Sequence, residues 1–234
     1  MEGLSGWRRR RALHRPGLPV AVRDFLQAPW PDPATPWRQV PFTVLDLETS
    51  GLDARRDVIL AVGLVDVDGG RIRMETAWRT LVAPPPGHVV GVPSIRIHGL
   101  LPQDLAEAPT LARVLPVLAR RLRGRVMAVH VEQVDRPFLD RAFREAWGVG
   151  LWVPVVDTAR LALWFDDQPL LGGRGPLDRQ LRLSDVAAAF GLPVGREHDA
   201  LEDALACAQV LLALATRLES MGRGTLGALL RTGT

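Results

Sequence analysis

Three segments of this 234-residue chain carry acids and a histidine of the types and order that divalent-metal chemistry uses. They are Asp46 and Glu48 in F-T-V-L-D-L-E-T-S-G, Asp135 in V-H-V-E-Q-V-D-R-P-F-L, and His198 and Asp203 in R-E-H-D-A-L-E-D-A. Carboxylates gathered at one point repel each other unless divalent cations sit between them. The chemistry that fits such a set is hydrolysis of a phosphodiester bond with two bound metal ions.

Each segment also has a plain structural explanation. Residues 42–47 read as a short buried strand between Pro41 and Thr49-Ser50-Gly51. Alternation then puts Asp46 and Glu48 on one face with Phe42 and Val44, a costly arrangement for two carboxylates without a cation. Taken alone, D-x-E is equally a pair of solvated acids past a strand end, with Asp46 or Thr49 capping the turn. Asp199-Ala-Leu-Glu202 reads as a capping box opening a helix whose apolar stripe runs through Leu201, Leu205, Ala208, Leu212 and Ala215. His198 and Asp203 then occupy the two staple positions, whose side chains touch. Asp135 falls at the N-cap of a helix over 136–147, with Pro137 in the first turn, and taken alone it is a plain cap. Asp157 in V-P-V-V-D-T reads as another cap, and His130 as a hydrogen-bonded strand histidine.

Taken together, these motifs resemble those of the DEDD 3′→5′ exonucleases, in the subgroup with a histidine in the last motif. The proofreading epsilon subunit of bacterial DNA polymerase III belongs to that subgroup. Its first motif resembles D-x-E-T-T-G, against D-L-E-T-S-G here, and its last resembles H-x-A-L-x-D-A, matched at every fixed position by His198 to Ala204. I-H-G-L at residues 97–100 and V-D-T at 156–158 are further landmarks. The likeness spans about Pro41 to Leu218. The middle motif departs from it. H-N-A-x-F-D is replaced by H-V-E-Q-V-D, so that Val131 stands for asparagine, Glu132 for alanine and Val134 for phenylalanine, while Asp135 is kept.

The resemblance implies an α/β, ribonuclease-H-like fold with a mixed five-stranded sheet flanked by helices. It implies two Mg²⁺ or Mn²⁺ ions held by Asp46, Glu48, Asp135 and Asp203. Asp46 would bridge the ions, Glu48 and Asp203 would complete the site for the attacking water, and Asp135 would support the second ion. His198 would act as general base, since an unperturbed pKa of about 6.5 suits proton abstraction near neutrality. The implied product is a nucleoside 5′-monophosphate released from a 3′ end. The implied substrate is single-stranded DNA, with RNA as the alternative, and the implied protein partner is a DNA polymerase subunit.

The elements that must position these residues agree. Strands are expected at 42–47, 58–66, 71–80, 126–131 and 153–156, and helices at 111–123, 136–147, 158–165, 183–190 and 200–217. Val67-Asp68-Gly69-Gly70 reads as a hairpin turn, which makes the early strands antiparallel, and the later strands, separated by helices, parallel. The expected organisation is an Arg/Pro-rich extension over 1–40, an exonuclease domain over 41–218 and a short Gly-rich tail over 219–234. In the extension, proline density argues against regular structure, while Phe25, Leu26, Trp30 and Trp37 offer a face that could pack on the domain.

Composition adds bounds. All 29 basic residues are arginine, with no lysine, and the net charge is only +3. The runs Arg8–Arg11 and Arg120–Arg125 fit either phosphate contact or solvated helix ends. A single cysteine, Cys207, allows no internal disulfide and fits a reducing, cytoplasmic setting. No apolar run of about 18 residues suggests a membrane span. Two other functions remain open: trimming of RNA 3′ ends, and a catalytically weak nucleic-acid-binding module on the same fold.

Overall fold

The computed structural model describes residues 3–166, 182–193 and 195–232. Five strands, β1 (Phe42–Thr49), β2 (Ile59–Asp68), β3 (Arg71–Leu81), β4 (Val126–Val129) and β5 (Val155–Asp157), form one sheet in the order β3-β2-β1-β4-β5. The β2–β3 and β1–β2 pairs are antiparallel, and β1–β4 and β4–β5 are parallel. The hairpin over Gly69-Gly70 has positive φ at both glycines (63° and 69°), as a tight reversal between twisted strands requires.

Ten helices are described: α1 (Gly3–Leu13), α2 (Val20–Gln27), α3 (Val92–His98), α4 (Pro102–Ala106), α5 (Leu111–Arg121), α6 (Glu132–Trp147), α7 (Thr158–Asp166), α8 (Leu183–Ala189), α9 (Ala200–Ser220) and α10 (Leu226–Thr232). Alternation along β1 divides the core. Leu45 and Leu47 pack on one face with α2, α5 and α6, through Phe25, Leu118, Phe138 and Phe143. Phe42 and Val44 pack on the other face with α7, α9 and α10, through Leu161, Leu211, Leu214 and Leu229.

Several expectations need correction. The segment over 1–40 is largely helical, because α2 buries Ala21, Val22, Phe25 and Leu26 and so compensates for its short length. Trp37 sits in a one-turn 3₁₀ helix over Trp37–Gln39 and is 1% exposed. The C-terminal segment is not a bare tail. Helix α10 buries Leu226, Leu229 and Leu230, and its chain pairs back on Thr35 and Pro33. Helices α3 and α4 were not expected, and each begins with proline in its first turn, where the missing N–H costs nothing. Helix α6 starts at Glu132, four residues early, so Asp135 lies inside the first turn and not at the N-cap. The Asp157 carboxylate explains the shift: it accepts from the N–H groups of Val131 (3.1 Å) and Glu132 (2.9 Å), an N-terminal cap supplied from a distant strand.

Candidate metal centre

Strand β4 pairs with β1 only over Phe42–Val44. Beyond that point β1 runs on alone along this edge, so Asp46 and Glu48 stand where the sheet opens. On the other edge they face β2, Asp46 opposite Gly63 and Glu48 opposite Ala61. The gap left by β4 admits the first turn of α6, which carries Asp135, 2% exposed, against the backbone of Leu47.

Gly63 admits the third segment. A Cβ there would overlap the carbonyl of Ala200 and the N–H of Leu201, the first residues of α9. Glycine inside a strand often marks this kind of close backbone approach. Helix α9 therefore starts directly over Asp46 and delivers Asp203. One carboxylate oxygen from each of Asp46, Glu48 and Asp203 lies within 4.8 Å of the others, the set expected of a metal-holding group. Asp135 is outside that tight group but close enough to raise the pKa of Asp46.

The α9 start differs in detail from the expected capping box. Asp199 accepts from the N–H groups of Leu201 (3.1 Å) and Glu202 (3.4 Å), as an N-cap should. Glu202 turns instead toward Gly195. The returning bond comes from Asp203, which accepts from the backbone N–H of His198 at 2.8 Å. His198 thus sits at φ 62° on an exposed loop, tied to Asp203 through its backbone N–H, with its ring near enough to act on both Asp203 and His98.

The electrostatics are those of acids without compensation. Burial, then Asp135, Glu48 and Asp203, hold the Asp46 carboxyl well above the ordinary range. Burial and the charges of Asp203 and Asp199 push Glu48 up to about 8, against a small opposing pull from Arg79. Burial raises Asp203 to about 6, opposed by the His198 N–H and ring. Asp135 is raised by burial foremost. Glu48 Oε1 is buried with no hydrogen-bond partner among the described residues. An unpartnered carboxylate oxygen among three other acids is costly in a folded protein and is what a divalent cation would satisfy. The donor set, oxygen only, suits a hard ion.

Four further residues serve the site and were missed or undervalued in the sequence. Gly63 was readable as a lone glycine in the apolar run of β2. Asp157, expected only as the cap of α7, caps α6 as well. Arg79 on β3 pairs with Asp199 at 3.3 Å and left no sequence signal. His98, in I-H-G-L, accepts from Leu100 N–H through Nδ1 at 3.0 Å. Its buried Nε2 has no partner, and burial followed by the nearby His198 lowers its pKa. Ser50, which keeps the hydroxyl of the first motif, donates to Asp57 at 3.2 Å and accepts from Val58 N–H at 3.0 Å, closing the loop after β1. His130 is satisfied by Thr158 at 2.9 Å, as expected, and Cys207 is buried.

Solved exonucleases share this architecture. Exonuclease I of E. coli in complex with a dA16 oligonucleotide superposes with a TM-score of 0.67 at 16% identity, covering 78% of this chain and 42% of that one. Exonuclease X in complex with 5′ overhanging duplex DNA superposes at 0.61 and 20% identity, covering 82% of this chain and 99% of that one. The fold is thus the mixed-sheet, ribonuclease-H-like fold of these nucleases. Residues 43–211 match the RNase_T exonuclease family model, and the chain belongs to that family.

Among relatives, the PolC-type DNA polymerase III of Thermotoga maritima is 31% identical over 181 residues, which are 77% of this chain but 12% of that polymerase. A putative bifunctional exonuclease/endonuclease protein of Mycobacterium tuberculosis is 31% identical over 194 residues, 79% of this chain and 28% of that one. The DNA polymerase III epsilon subunit of Treponema pallidum is 29% identical over 171 residues, 73% of this chain and 74% of that one. The chain therefore corresponds to a minor part of its PolC relatives and to most of an epsilon subunit. No helix among the described residues is long and apolar enough to cross a membrane.

Proposed function

We propose that this protein is a 3′→5′ exonuclease that releases nucleoside 5′-monophosphates from the ends of single-stranded DNA, using two Mg²⁺ or Mn²⁺ ions. The observation that carries the reading is the convergence of Asp46, Glu48 and Asp203 within 4.8 Å, beside buried Asp135 and with Glu48 Oε1 unpartnered. Bound ions at such a site supply charge stabilisation for an in-line displacement at phosphorus. Asp46, Glu48 and Asp203 would hold them, with buried Asp135 in support. His198, on its outward loop, takes the proton of the attacking water. Asp203 fixes that loop through the His198 N–H, so the acid that binds metal also sets the position of the base.

DNA is preferred over RNA because two of the three relatives named above, the PolC-type polymerase and the epsilon subunit, are named as DNA polymerase III. The same kinship supports a cytoplasmic protein working beside a polymerase subunit. A gel assay with 5′-labelled single-stranded DNA and RNA of one sequence, in Mg²⁺, Mn²⁺ or EDTA, tests the reading. The expected result is a metal-dependent ladder shortening from the 3′ end, faster on DNA and absent for Asp46→Ala. A faster RNA ladder would reassign the substrate to RNA ends. An uncut strand that the wild-type protein still binds would move the assignment to a binding module.

A further inference from the structure

A second concentration of chemistry lies away from the carboxylates, in the part of the chain that precedes the family match at residue 43. Helix α1 carries the run Arg8–Arg11. Arg9 is structural: it is 7% exposed, donates to the carbonyls of Phe25 (2.8 Å) and Ala28 (2.6 Å), and lies 4.3 Å over the Trp30 ring. That contact fixes the rotation of α1. Helical spacing then turns Trp7, Arg8, Arg11 and His14 to one outward face, and Arg15 follows just past the helix end.

These side chains, with Arg144 near the end of α6, line a cleft of about 770 Å³. Arg144 is paired with Asp140 at 2.6 Å. Among the described residues, no carboxylate lies in ion-pair range of Arg8, Arg11 or Arg15. Trp7 is 52% exposed, with Arg11 stacked 5.4 Å from its ring centroid. Arg15 lies against Gly148, the αL cap of α6, where a Cβ would overlap its guanidinium. The other arginine run is different: Arg121 and Arg125 are committed to Asp66 and Asp68. The dipoles of the two helix C-termini favour cations here, but they leave outward guanidinium donors and an exposed indole unmatched.

We propose that this cleft is a second nucleic-acid contact, gripping the phosphate backbone of the bound strand upstream of its 3′ end, with Trp7 as a stacking platform for a base. Guanidinium groups interleaved with an exposed aromatic ring are the combination that holds single strands without regard to sequence. Position sets the reach. From Asp135 to Gly148, α6 rises by about 20 Å at 1.5 Å per residue, a distance that only a strand several nucleotides long can bridge. Only the location of the 3′ end rests on the exonuclease reading; binding in the cleft does not.

The test compares fluorescence anisotropy of labelled 20-nucleotide and 4-nucleotide DNA in EDTA, across salt, for the wild type and the R8A/R11A/R15A variant. The 20-mer should lose at least tenfold in affinity, and its log–log salt slope should fall by about two. Binding of the 4-mer in EDTA, and its hydrolysis measured separately in Mg²⁺, should not change. Equal losses on both lengths, or an unchanged slope, overturn the proposal. Should the triple variant fail to fold, wild-type protein crosslinked to 20-mers with a photoreactive base at successive positions decides. Crosslinks to the Trp7–Arg15 peptide, strongest several nucleotides from the 3′ end, support it, and their absence overturns it. Displacement of the wild-type cleft by poly-glutamate but not by DNA also overturns it, in favour of an acidic protein partner. Length-dependent binding without any cleavage would retain this site and reject the exonuclease reading.

Discussion

At the start of β1, Thr43 donates to Asp66 at 2.9 Å, and Arg121 and Arg125 lie 3.5 and 3.7 Å from the same carboxylate. Arg125 reaches on to Asp68 at 2.7 Å and donates to the Phe42 carbonyl. At the other end of the same strand, Asp46, Glu48, Asp135 and Asp203 share their space with no paired arginine among the described residues, and Arg79, paired with Asp199, exerts only a minor pull on Glu48. The fold can neutralise acids in its sheet with guanidinium groups, and it does so where stability alone is at stake. At the opposite end it leaves them repelling, a destabilising choice that is reasonable only where a cation is to be bound. Perturbed carboxylates of this kind concentrate at functional sites.

The largest break in this contrast comes from removing an acid at the open end. Asp46→Asn should lower kcat by on the order of 10³-fold or more, since several kcal/mol of charge stabilisation is lost. The metal-free variant should unfold at a higher temperature than the metal-free wild type, because one member of the repelling set is gone. A fall in thermal stability in EDTA would show that Asp46 is structural.

Next in size is Gly63→Ala. The methyl must push α9 off the sheet, costing about 1–3 kcal/mol of stability. A shift of about 1 Å at Asp203 and His198 should cost roughly 10²-fold in kcat. Activity equal to wild type per folded molecule would show that α9 can move without consequence.

The closed end gives the converse. Arg125→Met should destabilise by about 1 kcal/mol, measured by urea melts, because Asp66 keeps Arg121 and Thr43 while half-exposed Asp68 loses its partner to water. The kcat of the folded fraction should stay within twofold of wild type.

A milder effect separates the two ends by pH. Glu48 and Asp203 are raised from ordinary carboxylate values to about 8 and about 6. The folded state therefore binds more protons than the unfolded chain between about pH 4 and pH 8, and stability falls as pH rises through that window. Melting temperatures in EDTA should drop from pH 5 to pH 8. Millimolar Mn²⁺ should flatten the slope by binding the ionised set. A metal-free slope of the opposite sign would mean that these acids are not raised.

The smallest effect concerns the altered middle motif. Val131 sits at φ 72° and ψ 78°, where a β-branched residue is strained and asparagine is tolerated. Val131→Asn should stabilise by about 1 kcal/mol, a rise in melting temperature of roughly 2–4 °C.

The sheet was legible because β1, β2 and β4 are apolar runs bounded by proline, glycine or charge. Asp46, Glu48, His198 and Asp203 were legible because their motifs lie within single segments. The start of α6 was not, since it depends on Asp157 reaching across from β5 to a backbone that Val131 bends. The helices over 3–27 were hidden by a proline-rich neighbourhood, and α2 holds its form only through Phe25 and Leu26 in the core. Arg79 gave no local sign, because its role exists only once β3 lies beside the start of α9.

The contact of Ala200 on Gly63 has a temporal meaning as well. It joins an early strand to a late helix, so it closes only after nearly the whole sheet has formed. Long-range contacts of this kind are slow to establish, and during synthesis the start of α9 leaves the ribosome after every strand of the sheet. A nascent chain can therefore build its core before the Asp46, Glu48 and Asp203 cluster is complete, and the candidate site arrives last.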